Sequence, residues 1–178
     1  MKNLLLLLLV GILAACEQNS SQTPDLPTID GTGLSLDDVL DSQSDATKDR
    51  YQFRNPKKTL EFFGIESGMT VVEALPGGGW YTKLLVPFVG SEGKVVGANY
   101  AMGMYTLFGY KGERLEKMSA WATDWPAEIN EKSATSGGAA AGAFMFGELP
   151  ESMHGTADAV LLIRALHNLA RFESQGGF

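Results

Sequence analysis

An α/β fold built around a parallel sheet is predicted by three observations. An apolar β-branched run, Val71-Val72, ends in Glu73 and passes through Pro76-Gly77-Gly78-Gly79 into the start of a helix. Such a run suits the middle of a parallel sheet, where both faces are covered. Two further short runs, Lys94–Ala98 and Ala159–Ile163, are set off by turn or breaker residues, Ser91 and Gly93 before one and Asp158 before the other. Helical stretches separate the runs.

In chain order, residues 1–15 read as a leader and not as part of the fold. Lys2 supplies a positive start, Leu4 to Val10 an apolar stretch, and Leu13-Ala14-Ala15-Cys16 a small-residue cleavage site. The apolar stretch is too short for a span of about 20 residues. Residues 16–33 are polar and contain Pro24, Pro27, Gly31 and Gly33, which predicts a tether reaching roughly 20–25 Å as a random coil. The domain proper is expected from residue 34 to residue 178.

Ser35 is a candidate N-cap for a short helix with Asp37 and Asp38 in its first turn. Asp45 to Arg54 is charged, a loop or a loose helix. Asn55 is expected to cap a helix that begins at Pro56, presents Leu60, Phe62 and Phe63 as its apolar face and closes at Gly64. The core strand is expected over Met69–Leu75, and the next helix over Trp80–Val89, kinked or shortened at Pro87. Tyr100 to Gly112 is aromatic and methionine-rich, either a packed surface loop or a lid. Glu113–Ala122 predicts an amphipathic helix, with Trp121 and Trp125 as core or interface anchors, and Pro126 starts a further helical piece through Lys132. A short third strand is expected over Ala143–Phe146. The fourth, Ala159–Ile163, reads as buried on both faces.

Composition narrows the function. The formal charge is −7 and no basic residues cluster in sequence, which argues against a nucleic-acid partner. Cys16 is the only cysteine, so no intramolecular disulfide can form, and His154 and His167 make no zinc pattern, so no metal is expected. There is no Gly-x-Ser-x-Gly elbow and no Walker-type loop. The glycine turn remains. Consecutive glycines permit positive φ and let a ligand lie against bare backbone, while the following helix start offers unpaired N–H groups. A cradle for a nucleotide-like ligand at the carboxyl edge of a sheet is the functional reading, and a plain structural turn is the alternative. A dinucleotide fingerprint would need glycine at position 82, which is threonine.

An acid at the strand end, inside the turn, resembles motif I of the class I S-adenosylmethionine-dependent methyltransferases. The run Glu73 to Thr82 followed by Gly90 to Gly97 is similar to that region in protein isoaspartyl methyltransferases. Asn55-Pro56 to Phe63-Gly64, Pro76 to Thr82, and Ala157 to Leu162 with Arg164 and His167-Asn168 together resemble a group of exported predicted methyltransferases, over about Tyr51 to the last residue. The resemblance implies a three-layer, Rossmann-like methyltransferase sheet with strand order 3-2-1-4-5-7-6. Only four strands are readable, so a truncated member lacking the last strands is expected, with strand four as an apolar edge.

The resemblance further implies S-adenosylmethionine as cofactor and methyl transfer to an O, N or S acceptor, a small molecule or one of unknown kind. Gly77, Gly78 and Gly79 would lie against its methionine part and ribose, and Glu73 would order the turn. Leu75 stands where the family has its first glycine. Asn99 stands where an acid normally holds the ribose, a loss of charge assistance that costs roughly 1–2 kcal/mol. His167 is the candidate general base, with a packing histidine as the alternative. Glu148 falls near the family's adenine-contacting acid or is a plain loop acid, and Tyr51 and Arg54 are a candidate flap. Leu-Ala-Ala-Cys resembles the lipobox of bacterial lipoproteins, which implies acylation of Cys16, a membrane anchor and, from Glu17, the periplasmic side of the outer membrane. A non-catalytic envelope lipoprotein that uses the same fold to bind a ligand or partner is the rival, since this cofactor is ordinarily supplied in the cytoplasm.

Overall fold

A computed structural model describes residues 33–175. The expected leader, Cys16 and the tether up to residue 32 lie outside the described residues. The chain runs α1 (Leu36–Asp41), α2 (Asp45–Lys48), α3 (Tyr51–Arg54), α4 (Pro56–Phe62), β1 (Thr70–Ala74), α5 (Thr82–Val89) and β2 (Lys94–Asn99). It continues through α6 (Met102–Leu107), α7 (Glu113–Ser119), α8 (Trp121–Ser136), β3 (Ala140–Met145), a 3-10 turn at Glu151–Met153, β4 (Ala159–Leu162), α9 (Leu166–Arg171) and a last 3-10 turn at Glu173–Gln175.

The strands form one parallel sheet in the order β3-β2-β1-β4. Register follows the apolar residues. Val71 pairs with Val95 and Ala159, so one face collects Val71, Val95 and Leu161. That face joins Val39, Leu60, Leu84, Leu85 and Val89 in the main core, contributed by α1, α4 and α5. Trp121 and Trp125 of α8 stack at 5.4 Å over Gly97, where an added Cβ would sit 2.8 Å from the Trp121 ring. Gly97 is therefore required by packing: only a bare backbone leaves room for both indoles.

The opposite face is thinner. Val72, Val96 and Ala98 are covered by Phe144, Phe146 and Met153. Strand four departs here from the expectation of burial on both faces: Leu161 is 2% exposed, but Val160 is 64% and Leu162 38% exposed. The reason is position. β4 pairs with β1 alone, and among the described residues the connection from β3 carries only the 3-10 turn, with no helix to lie across that face.

Local rules account for most boundaries. Ser35 Oγ accepts from Asp38 N–H at 3.2 Å, the expected cap. Pro56 holds the first helical position of α4, but Asn55 makes no side-chain cap; it sits in the left-handed region at φ 42 and turns α3 into α4. Pro87 lies within α5 and does not shorten it, because the Lys83 carbonyl that it cannot pair with accepts from Gln43 Nε2 at 3.4 Å. Pro126 likewise sits inside α8, not at its start, and the helix runs on to Ser136, where Gly137 at φ 69 ends it. The aromatic stretch after β2 forms α6 and a cluster in which Tyr100 meets Tyr105, Phe108 and Phe146 edge-on.

Candidate functional site

Strand order, not strand direction, reverses between β1 and β4. From β1 the chain proceeds outward to β2 and β3, and β4 then returns to the other side of β1. In open α/β sheets that switch point, at the carboxyl ends of the strands, is where ligands bind. A cleft of about 510 Å³ opens there. It lies within the roughly 300–1,000 Å³ typical of small-molecule and cofactor sites. Its walls are the loop after β1 (Leu75 to Gly78), the end of β2 (Asn99, Tyr100), the loop after β4 (Ile163 to Ala165) and the side chains of Arg50 and Arg54.

Glu73 lies at the base. It is 5% exposed and accepts a hydrogen bond from Thr82 Oγ1 at 2.6 Å, so strand end and helix start are tied across the glycine turn. Burial pushes its carboxyl pKa up from 4.5 to about 7, against the opposing pull of the Thr82 hydroxyl and backbone N–H and of Arg54. The turn itself closes with Gly79 N–H donating to the Pro76 carbonyl at 2.9 Å. Gly77 and Gly79 adopt φ of 58 and 70, which glycine accepts without strain. Gly78 needs no positive φ, and an added Cβ there would meet nothing within 4 Å.

Among the described residues three non-glycine residues hold positive φ, two at this site and one beside it: Leu75 at 58, Arg164 at 60 and Asn55 at 42. The first two line the cleft and the third follows Arg54, which does. For an ordinary side chain the left-handed region costs about 1–2 kcal/mol. Such strain gathers at ligand sites, where surrounding structure holds it in place.

Of the residues singled out in the sequence, Glu73, Gly77, Gly78 and Asn99 come together on this cleft, with Leu75. Gly79 instead lines a second cavity of about 550 Å³ behind the turn, beside Thr82, Trp125 and Ser133. Asn99 Oδ1 accepts from Tyr100 N–H at 2.9 Å, which uses one of its two lone pairs. His167 is exposed on α9 and is not among the lining residues, whereas its neighbour Asn168 is, with its amide donating to Tyr100 Oη at 2.9 Å. Glu148 is exposed and away from the cleft. Of the candidate flap, Arg54 lines the cleft, and Tyr51 packs behind it, edge-on to Trp80 at 6.0 Å with its hydroxyl on the Leu40 carbonyl.

Arg50 and Lys83 also reach the cleft, a placement not anticipated from the sequence. No local pattern marks them: Arg50 sits in an ordinary charged stretch, and only the sheet topology brings it near residue 164.

No protein-family model matches the chain, and no curated protein matches it. Among solved structures, a SAM-dependent methyltransferase from Aquifex aeolicus is similar at a TM-score of 0.37 and 19% identity, over 79% of this chain and 66% of that one. This chain thus spans just under two thirds of that neighbour. A likeness at that level decides nothing by itself; the α/β assignment rests on the parallel sheet, its strand order and its helices.

Proposed function

We propose that the protein binds S-adenosylmethionine over the glycine turn after β1 and acts as a methyltransferase. The observation that carries the reading is the buried Glu73–Thr82 hydrogen bond across a glycine turn that faces a cleft at the switch point of the sheet. The residues present fit the group. Gly78 leaves open space for a ligand against bare backbone, and the cleft is of cofactor size. Gly77 and Gly78 would hold the ligand against the turn, and Glu73 would offer a negative charge beneath it once its proton is released. Asn99 and Tyr100 would border it at the end of β2. When bound, the cofactor supplies an electrophilic methyl group on a sulfonium. The chain's own contribution would be to align donor and acceptor within the cleft.

Thermal unfolding with and without S-adenosylhomocysteine tests this. At about 100 times its dissociation constant the ligand is expected to add roughly 2.7 kcal/mol of stability. An unmoved transition would contradict the reading.

A second reading, ligand binding without methyl transfer, is favoured by Asn99, which lines the cleft as a neutral amide and offers a ligand no charge-assisted acceptor. Transfer of labelled methyl from the cofactor, assayed beside binding, separates the two. On the sequence Leu13-Ala14-Ala15-Cys16 we also propose acylation of Cys16 and anchoring to a bacterial outer membrane on its periplasmic side. Two acyl chains give stable anchoring. Labelling with a fatty-acid analogue should fail in Cys16→Ala, and persistence of the label would refute the anchor. His167, exposed and off the cleft, is retained as a general-base candidate only for an acceptor that reaches α9; His167→Gln at unchanged turnover would remove it from the mechanism.

A further inference from the structure

The charge on the cleft is opposite to that of the protein. Asp and Glu outnumber Lys and Arg by 21 to 14 along the chain. Yet the cleft wall carries Arg50, Arg54, Arg164 and Lys83 and only one acid, Glu73. These cations come from three separate places, the α2–α3 segment, α5 and the loop after β4, so local sequence does not explain their meeting.

The fold does not neutralise them. Among the described residues the ion pair formed is Lys57 with Asp37, remote from the cleft, and none of the three guanidinium groups has a carboxylate partner. Arg54 lies over the Trp80 ring at 4.6 Å and near Tyr81 at 5.7 Å, and its Nε has no hydrogen-bond partner. Stacking fixes the group, one donor is engaged with the Tyr81 side chain, and no carboxylate takes the others. Burial first, and then the like charge of Arg50 and more weakly of Arg164, lowers the Arg54 pKa from its ordinary value. Arginine offers donors only, so whatever meets this corner must bring acceptors.

S-adenosylmethionine does not balance the corner. It bears one carboxylate against an ammonium and a sulfonium, and so enters as a net cation. A cleft with several free cations and a cationic cofactor is complete only with an anion from elsewhere. Resting on the methyltransferase reading above, we propose that Arg50, Arg54 and Arg164 form an oxyanion site that recognises a phosphate or carboxylate group on the methyl acceptor. The acceptor is then an anionic small molecule, drawn toward a positive mouth on an otherwise acidic protein and held by charge-assisted, bidentate hydrogen bonds.

The same chemistry has a second possible source, the cofactor's own carboxylate, and the test separates the two. Inorganic phosphate, S-adenosylhomocysteine and 5′-methylthioadenosine, which lacks the amino-acid end, are titrated into the wild-type protein, Arg50→Gln and Arg164→Gly. Arg54 is left in place because it stacks on Trp80. Both substituted positions are exposed, and glycine at position 164 accepts the positive φ, so both variants should fold. The expected result is phosphate binding that weakens about tenfold in each variant, unchanged affinity for S-adenosylhomocysteine, and phosphate binding to the S-adenosylhomocysteine-loaded protein. Phosphate affinity indifferent to both substitutions would overturn the site. Loss of S-adenosylhomocysteine affinity with methylthioadenosine spared would overturn it too, by assigning the corner to the cofactor. If the wild-type protein binds phosphate at these arginines but no S-adenosylhomocysteine, the oxyanion site stands, while the methyltransferase reading, and with it the acceptor's role, falls.

Discussion

The loops that follow β1 and β4 lie side by side at one cleft and share a backbone feature, a non-glycine residue near φ 60, yet they are held in opposite ways. Leu75, after β1, is half-buried, and its N–H donates to the Ala98 carbonyl at 2.7 Å, continuing the ladder past the strand end. Behind it Glu73 and Thr82 close the turn from the inside. Arg164, after β4, is exposed and carries a charge that no acid answers. The central strand end is held by the fold's own bonds. The edge strand end keeps its strain and its charge without internal repayment, which suits a part that meets a ligand. A cofactor cradle at one loop and an acceptor anchor at the other follow from that contrast.

The comparison is sharpened first by pH. Glu73 in the fold keeps its proton up to about pH 7, while in the unfolded chain it would lose it near 4.5. The native state therefore holds the extra proton between those values, and stability falls as pH rises through that window. The loss should approach about 3 kcal/mol by pH 8, and Glu73→Gln should flatten the curve. Denaturant unfolding at pH 5 and pH 8 in both proteins measures it; parallel curves would mean that Glu73 is not held neutral by burial.

Thr82→Val comes next. It removes the hydroxyl partner of a buried carboxyl and should cost about 1–3 kcal/mol. Because that hydrogen bond favours the charged form, its loss should raise the Glu73 pKa further and move the pH window upward. Unchanged stability would show that the turn is not closed from within.

Glycine substitution at the two strained positions probes the contrast itself. Arg164→Gly should stabilise by about 0.5–1 kcal/mol, since relief of the left-handed strain exceeds the added freedom of the unfolded chain. Leu75→Gly should be close to neutral, because the same relief is offset by lost packing of a half-buried leucine. Equal gains at both positions would erase the distinction between the two loops.

Much of this arrangement was legible in the sequence, and the exceptions have physical causes. Val71 and Val72, running through Glu73 into a glycine turn, located β1, and the order of the four strands agrees with the sheet expected from the resemblance. Glu73, Gly77, Gly78 and Asn99 converge as expected because each sits at or just past a strand end, where parallel strands deliver their residues to one edge. Three features were only partly legible. Exposure of Val160 follows from the edge position that the resemblance implied for strand four and not from composition, since an apolar edge strand and an apolar central strand look alike. Pro126 suggested a helix start and Pro87 a kinked or shortened helix, yet both lie inside continuous helical stretches, with the Gln43 amide meeting the Lys83 carbonyl near Pro87. Of the basic corner, Arg54 and Arg164 stood out through the resemblance, but Arg50 and Lys83 did not, because the four become neighbours only through the return of β4 to the side of β1.

The smallest structural perturbation bears most directly on the central claim. At Gly78 an added methyl would touch no protein atom within 4 Å, and the backbone there needs no positive φ. Gly78→Ala should leave the unfolding transition in place and yet weaken S-adenosylhomocysteine about tenfold or more, because a ligand seated against the bare turn must meet the new methyl group. Titration of that ligand into wild-type and Gly78→Ala protein is the measurement to make. Weakened binding at unchanged stability is the result expected of a cofactor cradle after β1. Equal affinity in the two proteins, or no affinity in either, would contradict it.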